Sequence, residues 1–277
     1  MKLNYHSYKA YLECPQKFCK EFFRKEPYTV PQNDYFTLYG KLTEKFFEMF
    51  CNIWRFNTPY MPPEIIKEKL SVLWDGILST SFVNWNAPFV KYNKESIFNQ
   101  SLDDISAIMN SPSQNYFLNT KSEIKIEVAL KDGDIINGRV DFIHKSPLSD
   151  SAVIIDGKGT NKIGKNIDKM QLLFYALLYY FHYKSIPEEI GFFYYRFNSF
   201  NPVPIDLNIL NGFRAQLSCN LKRIKSDALF LATPSPKSCK YCGYANKCND
   251  YFAMKAKRAK PSKLNELQGD GVVEFGF

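Results

Sequence analysis

The chain has 277 residues, 45% apolar and 23% charged, which fits one large globular domain or two small ones and excludes a disordered or fibrous chain. Lys and Arg outnumber Asp and Glu by 36 to 28, a formal charge of +8, so the surface favours polyanions, of which nucleic acid is the commonest. The chain has no apolar run of the roughly 18–20 residues a membrane helix needs, no apolar leader at the N-terminus, and an odd number of cysteines, so a cytoplasmic protein with reduced or metal-bound thiols and no membrane partner is expected.

Residues 5–25 read as a helical segment, with Ser7 as N-cap and Tyr8, Tyr11, Leu12, Phe18 and Phe22 on its apolar face. Within it lies Leu12-Glu13-Cys14-Pro15-Gln16-Lys17-Phe18, where Cys14 alone would be a small buried hydrophobe. Residues 27–39 are a polar, proline-containing connection. From 40 to 50 aromatics recur at helical spacing and predict a helix carrying Glu44. That glutamate sits either on a solvated face or as an oxygen ligand for a hard cation. Residues 51–120 hold Trp54, Trp74 and Trp85, are broken by Pro59, Pro62, Pro63 and Pro88, and predict helices packed over the core, with an Asn/Ser-rich loop at 110–119.

At 122–130 the pattern switches to strict alternation, which predicts a strand. Lys131-Asp132-Gly133-Asp134 is a hairpin turn, 135–144 a second strand, and the Ser/Pro/Asp-rich break at 146–151 a second turn. A third strand, 152–158, completes a meander. With the second hairpin's midpoint within 147–149, Asp141 and Asp156 fall opposite each other, their Cβ atoms roughly 4.5–5.5 Å apart. Two carboxylates that close repel unless a proton or a cation lies between them. Lys158, two residues past Asp156, points to the same face. This is the pattern of a divalent-metal site with a charged assistant; the alternative is a hairpin with exposed acids at its ends. Glu127, in the first strand, reads as a cross-strand partner for a Lys or Arg.

A Lys/Asn/Gly-rich loop leads to 168–180, a helix apolar nearly all round and therefore buried against the sheet. Gln171 and Tyr175 are four apart and share a face. A glutamine on so apolar a helix needs partners, and a carboxylate of the site, a bound phosphate backbone or the main chain would serve. Residues 190–197 read as a strand parallel to the Asp156 strand, reached by a right-handed crossover. An amphipathic helix over 206–231 is stopped by Pro234-Ser235-Pro236. Cys239, Cys242 and Cys248 follow in Cys-x2-Cys-x5-Cys spacing, and three thiolates in a short loop demand a soft metal. Cys14 supplies a fourth ligand if the termini meet, and a four-cysteine zinc site has the same ligand set. Cys19, Cys51 and Cys219 read as buried structural residues. The basic run 255–260 is a solvated helix end or a phosphate contact, and 269–277, acidic and apolar, is a flexible segment or a docking peptide.

Gly138-Arg139-Val140-Asp141 followed by Ile154-Ile155-Asp156-Gly157-Lys158 resembles the core of the PD-(D/E)XK nuclease superfamily. Within it the chain is most similar to the RecB-like exonucleases, including the AddB nuclease domain and the CRISPR-associated members. Leu12–Phe18 resembles the opening Cys-Pro-x-(Lys/Arg)-(Phe/Tyr) signature of their iron–sulfur members. Gln171-x-x-x-Tyr175 resembles the motif after the catalytic lysine, and Glu127 resembles a recurrent strand acid. One departure stands out. Those nucleases usually read Gly-x-x-x-His, with the histidine on metal, whereas the fourth residue after Gly40 here is Glu44. Other branches of the superfamily place a glutamate on this helix.

These pieces fall in family order over most of the chain, leaving 51–120 uncovered. The resemblance implies an α/β, restriction-endonuclease-like core: a mixed β-sheet flanked by helices, with a helical insert and a C-terminal cysteine-cluster lobe. A single nuclease domain would span 1–277, with N-terminal helices at 1–50, the insert at 51–120, the catalytic core at 121–200, the iron–sulfur lobe at 201–260 and a flexible tail at 261–277. It implies a Mg²⁺- or Mn²⁺-dependent deoxyribonuclease, a single-strand exonuclease of recombination, repair or CRISPR adaptation in a bacterial, archaeal or phage-infected cell. Asp141, Asp156, Lys158, Gln171 and Tyr175 would be catalytic. Glu44, Asp141, Asp156 and the Gly157 carbonyl would hold metal, and Cys14, Cys239, Cys242 and Cys248 a 4Fe–4S cluster. The implied partners are single-stranded DNA or DNA ends, and a helicase, single-strand-binding or integrase protein. Two alternatives stay open: a catalytically inactive, nuclease-like DNA-binding subunit of a larger helicase or integrase complex, and a zinc-ribbon protein without a nuclease core.

Overall fold

The computed structural model describes residues 1–27, 35–53, 61–81, 93–145, 151–164, 168–240 and 242–258. Trp54, Trp85, Pro59, Pro88, the hairpin apex at 147–149 and the tail 261–277 lie outside them. The chain divides into two compact units, Met1–Tyr8 with Gln32–Asp227 and Lys9–Pro31 with Ala228–Phe277. The sequence placed the last lobe's start at 201. The observed division leaves the helix Leu207–Ser226 with the first unit, where it lies against the helix Lys169–Tyr183.

The first unit is built on a mixed sheet. The expected meander is β2 (Thr120–Ala129), β3 (Ile135–Lys145) and β4 (Ala152–Lys158), each antiparallel to the next. Its first turn is closed by Leu130 N–H donating to Asp134 O at 2.7 Å, with Gly133 at φ +79°, a region that glycine enters without steric cost. β5 (Glu189–Tyr194) runs parallel to β4, as the crossover through an intervening helix requires. Two further strands carry no pattern to read. β1 (Lys2–Asn4) is too short to show a period and lies parallel to β3, its Leu3 buried. β6 (Ser199–Val203) contains Pro202 and pairs with β5 at an edge, where a missing N–H is tolerated. The strand read over 190–197 ends at Tyr194, because Tyr195–Phe197 turn as a 3-10 helix and Asn198 adopts φ +45°.

Helices α3 (Tyr35–Ile53), α4 (Pro63–Thr80) and α5 (Lys94–Met109) form one core with the sheet. On α3 the rows Leu38, Leu42, Phe46, Phe50 and Tyr39, Thr43, Phe47, Cys51 repeat every fourth residue and are all buried. Two adjacent i, i+4 rows make the broad apolar stripe of a core-facing helix. Phe47 stacks on Phe117 at 4.0 Å, and each such ring contributes roughly 1.5–3 kcal/mol by leaving water. Trp74 is part of this core, as expected. Alternation along β4 puts Ile155 into it and turns Asp156 and Lys158 to the other face, toward α6 (Lys169–Tyr183). α6 is buried by Leu172, Phe174, Ala176, Leu177 and Leu178, and α7 (Leu207–Ser226) adds Leu210, Phe213, Leu217, Leu221 and Ile224. α7 ends at Ser226, five residues before the expected stop at 231; Asp206 caps its start by accepting from Ile209 N–H at 2.7 Å. Cys219 is exposed, not buried, because it lies off that apolar stripe, while Cys19 and Cys51 are buried.

Helix α1 (Tyr5–Glu13) corrects the reading of Ser7. Its N-cap is Asn4, whose Oδ1 accepts from Ser7 N–H at 2.8 Å while Asn4 N–H donates to Ser7 Oγ at 3.0 Å, a reciprocal capping box. The segment read as one helix over 5–25 is broken at Cys14, which is extended (φ −166°, ψ 110°) because Pro15 forbids it the helical region. α2 (Pro15–Phe18) and a π-turn, Cys19–Phe23, follow.

In the second unit Tyr11, Phe18, Phe23 and Phe230 form an aromatic knot with centroid separations of 5.4–6.4 Å. Tyr244 O–H donates to Glu26 O at 2.9 Å, and Thr233 Oγ1 to Glu13 O at 3.1 Å, tying the early segment to the late one. Helices α8 (Pro236–Lys240) and α9 (Asn249–Arg258) complete it. No helix among the described residues is long and apolar enough to cross a membrane.

Candidate active site

The register of β3 on β4 pairs Phe142 with Ile155. That pair is the last of the ladder, and Asp141 and Asp156 are the next residues on the two strands, just past it. Asp141 is anchored by Gly157 N–H, which donates to its Oδ2 at 3.3 Å. Asp156 is buried and ion-paired with Lys158. Lys158 Nζ donates to Gln171 Oε1 at 3.5 Å and lies 5.2 Å over the Phe192 ring. Gln171 Nε2 donates in turn to Tyr175 OH at 3.1 Å. Gln171 therefore finds neither a carboxylate nor the main chain. Its amide links the lysine of β4 to a tyrosine of its own helix, one turn on.

Glu44, Glu123 and Asp141 each bring a carboxylate oxygen within 4.8 Å of the other two, the one such group of three or more acids, histidines or cysteines among the described residues. Glu44 is half-buried and faces the strand acids Glu123 and Asp141. A divalent cation takes oxygen ligands at about 2.0–2.6 Å, so oxygens around one ion lie within this spacing of one another. An all-carboxylate donor set selects Mg²⁺, Ca²⁺ or Mn²⁺ over softer metals.

Electrostatics agree with that donor set. Burial pushes the Asp141 carboxyl well above the usual range, and Asp156 and Glu44 push it further. Glu44 is raised by burial first, then by Glu123 and Asp156. Asp156 is raised by burial against the pull of Lys158. Burial pulls Lys158 down, but Asp156, Asp141 and Asp168 together outweigh it and hold the ammonium above its ordinary value.

Glu123 was not singled out in the sequence, although a signal was present. The turn at 131–134 sets the register Ser122↔Phe142 and Ile124↔Val140, which brings Glu123 level with Asp141. The same midpoint count that pairs Asp141 with Asp156 would have found it. Glu123 is left out of the ladder itself, at φ +54°, a left-handed conformation rare for a glutamate inside a strand. Its carboxylate meets Arg139, from the Gly-Arg-Val-Asp run, at 2.6 Å. Glu127 takes the bland role read for it: it is exposed and accepts from Lys2 Nζ at 2.6 Å.

Two close approaches hold these elements in place. A Cβ on Gly159 would lie 2.8 Å from the Gly40 Cα, so α3 crosses the end of β4 with backbone against backbone. A Cβ on Gly157 would lie 2.0 Å from the Tyr195 hydroxyl, so the residue between Asp156 and Lys158 has no room for a side chain.

In the second unit Cys14, Cys239, Cys242 and Cys248 line one cavity with Gln16, Lys17, Lys20 and Tyr244. Burial raises the Cys242 thiol, and Cys14 and Cys239 add to the rise.

The sequence matches the family model of the PD-(D/E)XK nuclease superfamily over residues 2–249. No curated protein matches it, while 13 solved chains do. One is a provisionally named exonuclease from Eubacterium rectale, 13% identical, covering 81% of this chain and 80% of its own, with a TM-score of 0.51. Another, SSO0001, is 15% identical over 90% of this chain and 86% of its own, with a TM-score of 0.35. At 13% identity the likeness to the first is one of fold: a restriction-endonuclease-like core of mixed sheet and flanking helices.

Proposed function

Since the chain belongs to the PD-(D/E)XK nuclease superfamily, we propose that it is a divalent-cation-dependent deoxyribonuclease of the RecB-like kind, an exonuclease on single strands or DNA ends. The observation that carries this reading is the meeting of Glu44, Glu123 and Asp141 beside the Asp156–Lys158 pair. Glu44, Glu123 and Asp141 are the residues that would hold Mg²⁺ or Mn²⁺, with Asp156 and the Gly157 carbonyl as further oxygens. An ion there supplies an acidified water and neutralises charge on the scissile phosphate.

The chain's own groups do the rest. Asp156 and Gln171 fix the Lys158 ammonium from two sides, so it is a preorganised donor for a phosphate oxygen that gains charge. Tyr175 holds Gln171 in turn. Glu44 stands where RecB-like nucleases carry a histidine, and a carboxylate serves a hard cation at least as well. This supports a competent site over an inactive DNA-binding subunit. The formal charge of +8 favours a polyanionic substrate. A role in recombination, repair or CRISPR adaptation beside a helicase, single-strand-binding or integrase protein belongs to the same reading.

For the second unit we propose a structural 4Fe–4S cluster on Cys14, Cys239, Cys242 and Cys248. The four cysteines lining one cavity support this reading, and a tetrahedral zinc ion, which takes the same ligand set, is the second. The cluster would join residues 9–31 to residues 228–258 within that unit.

The test is incubation of the purified chain with 5′- and 3′-labelled single and double strands, with Mn²⁺, Mg²⁺ or EDTA. Stepwise release of nucleotides from one end is expected, dependent on the cation and lost in Asp141→Asn. A wild-type protein that binds Mn²⁺ yet cleaves none of these substrates would overturn the assignment.

A further inference from the structure

Tyr195 follows β5 and is 1% exposed, yet its hydroxyl has no hydrogen-bond partner among the described residues. Buried hydroxyls nearly always have one, and an orphan asks for an explanation. The ring cannot swing to find a partner elsewhere. It lies parallel to Phe47, at 5.5 Å between centroids and 5° between planes, and packs on Phe193 at 5.9 Å. The hydroxyl end occupies the space a side chain on residue 157 would fill. Glycine at 157 is therefore what admits this oxygen beneath β4, between the two residues that carry the Asp-x-Lys pattern. Burial holds the hydroxyl well above its ordinary range, and Glu44, Asp141 and Asp156, the acids of the candidate site, raise it further, followed by Tyr39.

We propose that Tyr195 is a positioning residue of the acidic site, its hydroxyl donating to an oxygen bonded to the divalent cation once one is held there. This rests on reading the acids as a cation site. A phenol locked by two aromatic neighbours is a rigid donor, and rigid outer partners set the geometry and affinity of a metal's immediate ligands.

The experiment uses the full chain and its Tyr195→Phe variant, with Mn²⁺ binding followed by titration calorimetry and by the Mn²⁺ electron paramagnetic resonance signal. In EDTA the variant should melt at or above the wild-type temperature, since it loses only an unpaired hydroxyl from a packed ring. Its Mn²⁺ affinity should fall about 10-fold or more, and its turnover on a labelled strand should fall while KM for DNA holds. Tyr116→Phe, an aromatic of the same core away from the acids, should leave both unchanged. Unaltered Mn²⁺ affinity in Tyr195→Phe would overturn this inference alone. A wild-type chain that takes up no Mn²⁺ would overturn the cation reading, and this inference with it.

Discussion

Glu44→Gln tests whether the acids strain the protein when no cation is present. The Glu44 carboxyl is held above its ordinary range by burial, and then by Glu123 and Asp156. Two unit charges at 4.8 Å, the limit of separation in the cluster, interact by about 3.5 kcal/mol at an effective dielectric near 20. Protonating an ordinary glutamate at pH 7 costs about 4 kcal/mol, so the cluster takes up a proton before its repulsion exceeds that. The variant should therefore stabilise the cation-free protein by about 1–3 kcal/mol, or about 3–9 °C in Tm. The sign with pH follows from the direction of the shift. The folded state holds the Glu44 proton more tightly than the unfolded chain, so wild-type stability falls as pH rises from the ordinary glutamate range through the folded value. The advantage of the neutral amide is then absent near pH 4 and complete on the alkaline side. Excess Mn²⁺ reverses the order, because wild type gains about 2.7 kcal/mol at a hundred times Kd and the variant gains less. Melting curves from pH 4 to 9, in EDTA and in Mn²⁺, read all of this. A variant that melts below wild type in EDTA at pH 8, or a difference flat with pH, refutes the reasoning.

Lys158→Ala leaves Asp156 buried without its counter-ion, so a loss of about 3 kcal/mol is expected together with loss of cleavage. The visible absorbance of anaerobically purified protein should not change, and its disappearance would break the proposed separation of catalytic and cluster roles. Gly157→Ala forces a methyl group against the Tyr195 hydroxyl and should cost about 1–3 kcal/mol in a thermal melt; an unchanged Tm would mean the ring has room to retreat. Cys14→Ser should lower iron per chain while leaving Mn²⁺ affinity at the acids intact. A variant that keeps its full iron content would remove Cys14 from the ligand set.

Much of the acidic site was legible because hairpins convert sequence distance into spatial pairing. The break at 146–151 fixes a midpoint, and the register it sets, Phe142 on Ile155, leaves Asp141 and Asp156 as the next residue on each strand. Glu123 carries no local mark: only the register set by the first turn brings it level with Asp141, while Glu127, on the same strand, pairs with Lys2. Glu44 could not be placed from its helix alone. Its approach to the strands depends on α3 crossing β4, a tertiary contact with no local signature. Tyr195 was hidden for a related reason: it reads as one more aromatic in Phe192-Phe193-Tyr194-Tyr195, and only the bare Cα of Gly157 shows where its oxygen goes. Ser7 was misread because two polar residues stood three apart, and the reciprocal bond makes the earlier one, Asn4, the cap.

The contact of Gly40 with Gly159 sets the width of the acid pocket. Glu44 is one helical turn beyond Gly40, and Asp156 lies three residues before Gly159, so the gap between those carboxylates is gauged by two naked backbones. Alanine at Gly159 would work as a shim, its methyl lifting the helix from the strand and widening the gap. Preference among cations should then drift from small Mg²⁺ toward larger Mn²⁺ and Ca²⁺, so that this pair of glycines, far less conspicuous than the ligands, acts as the calliper of ion size.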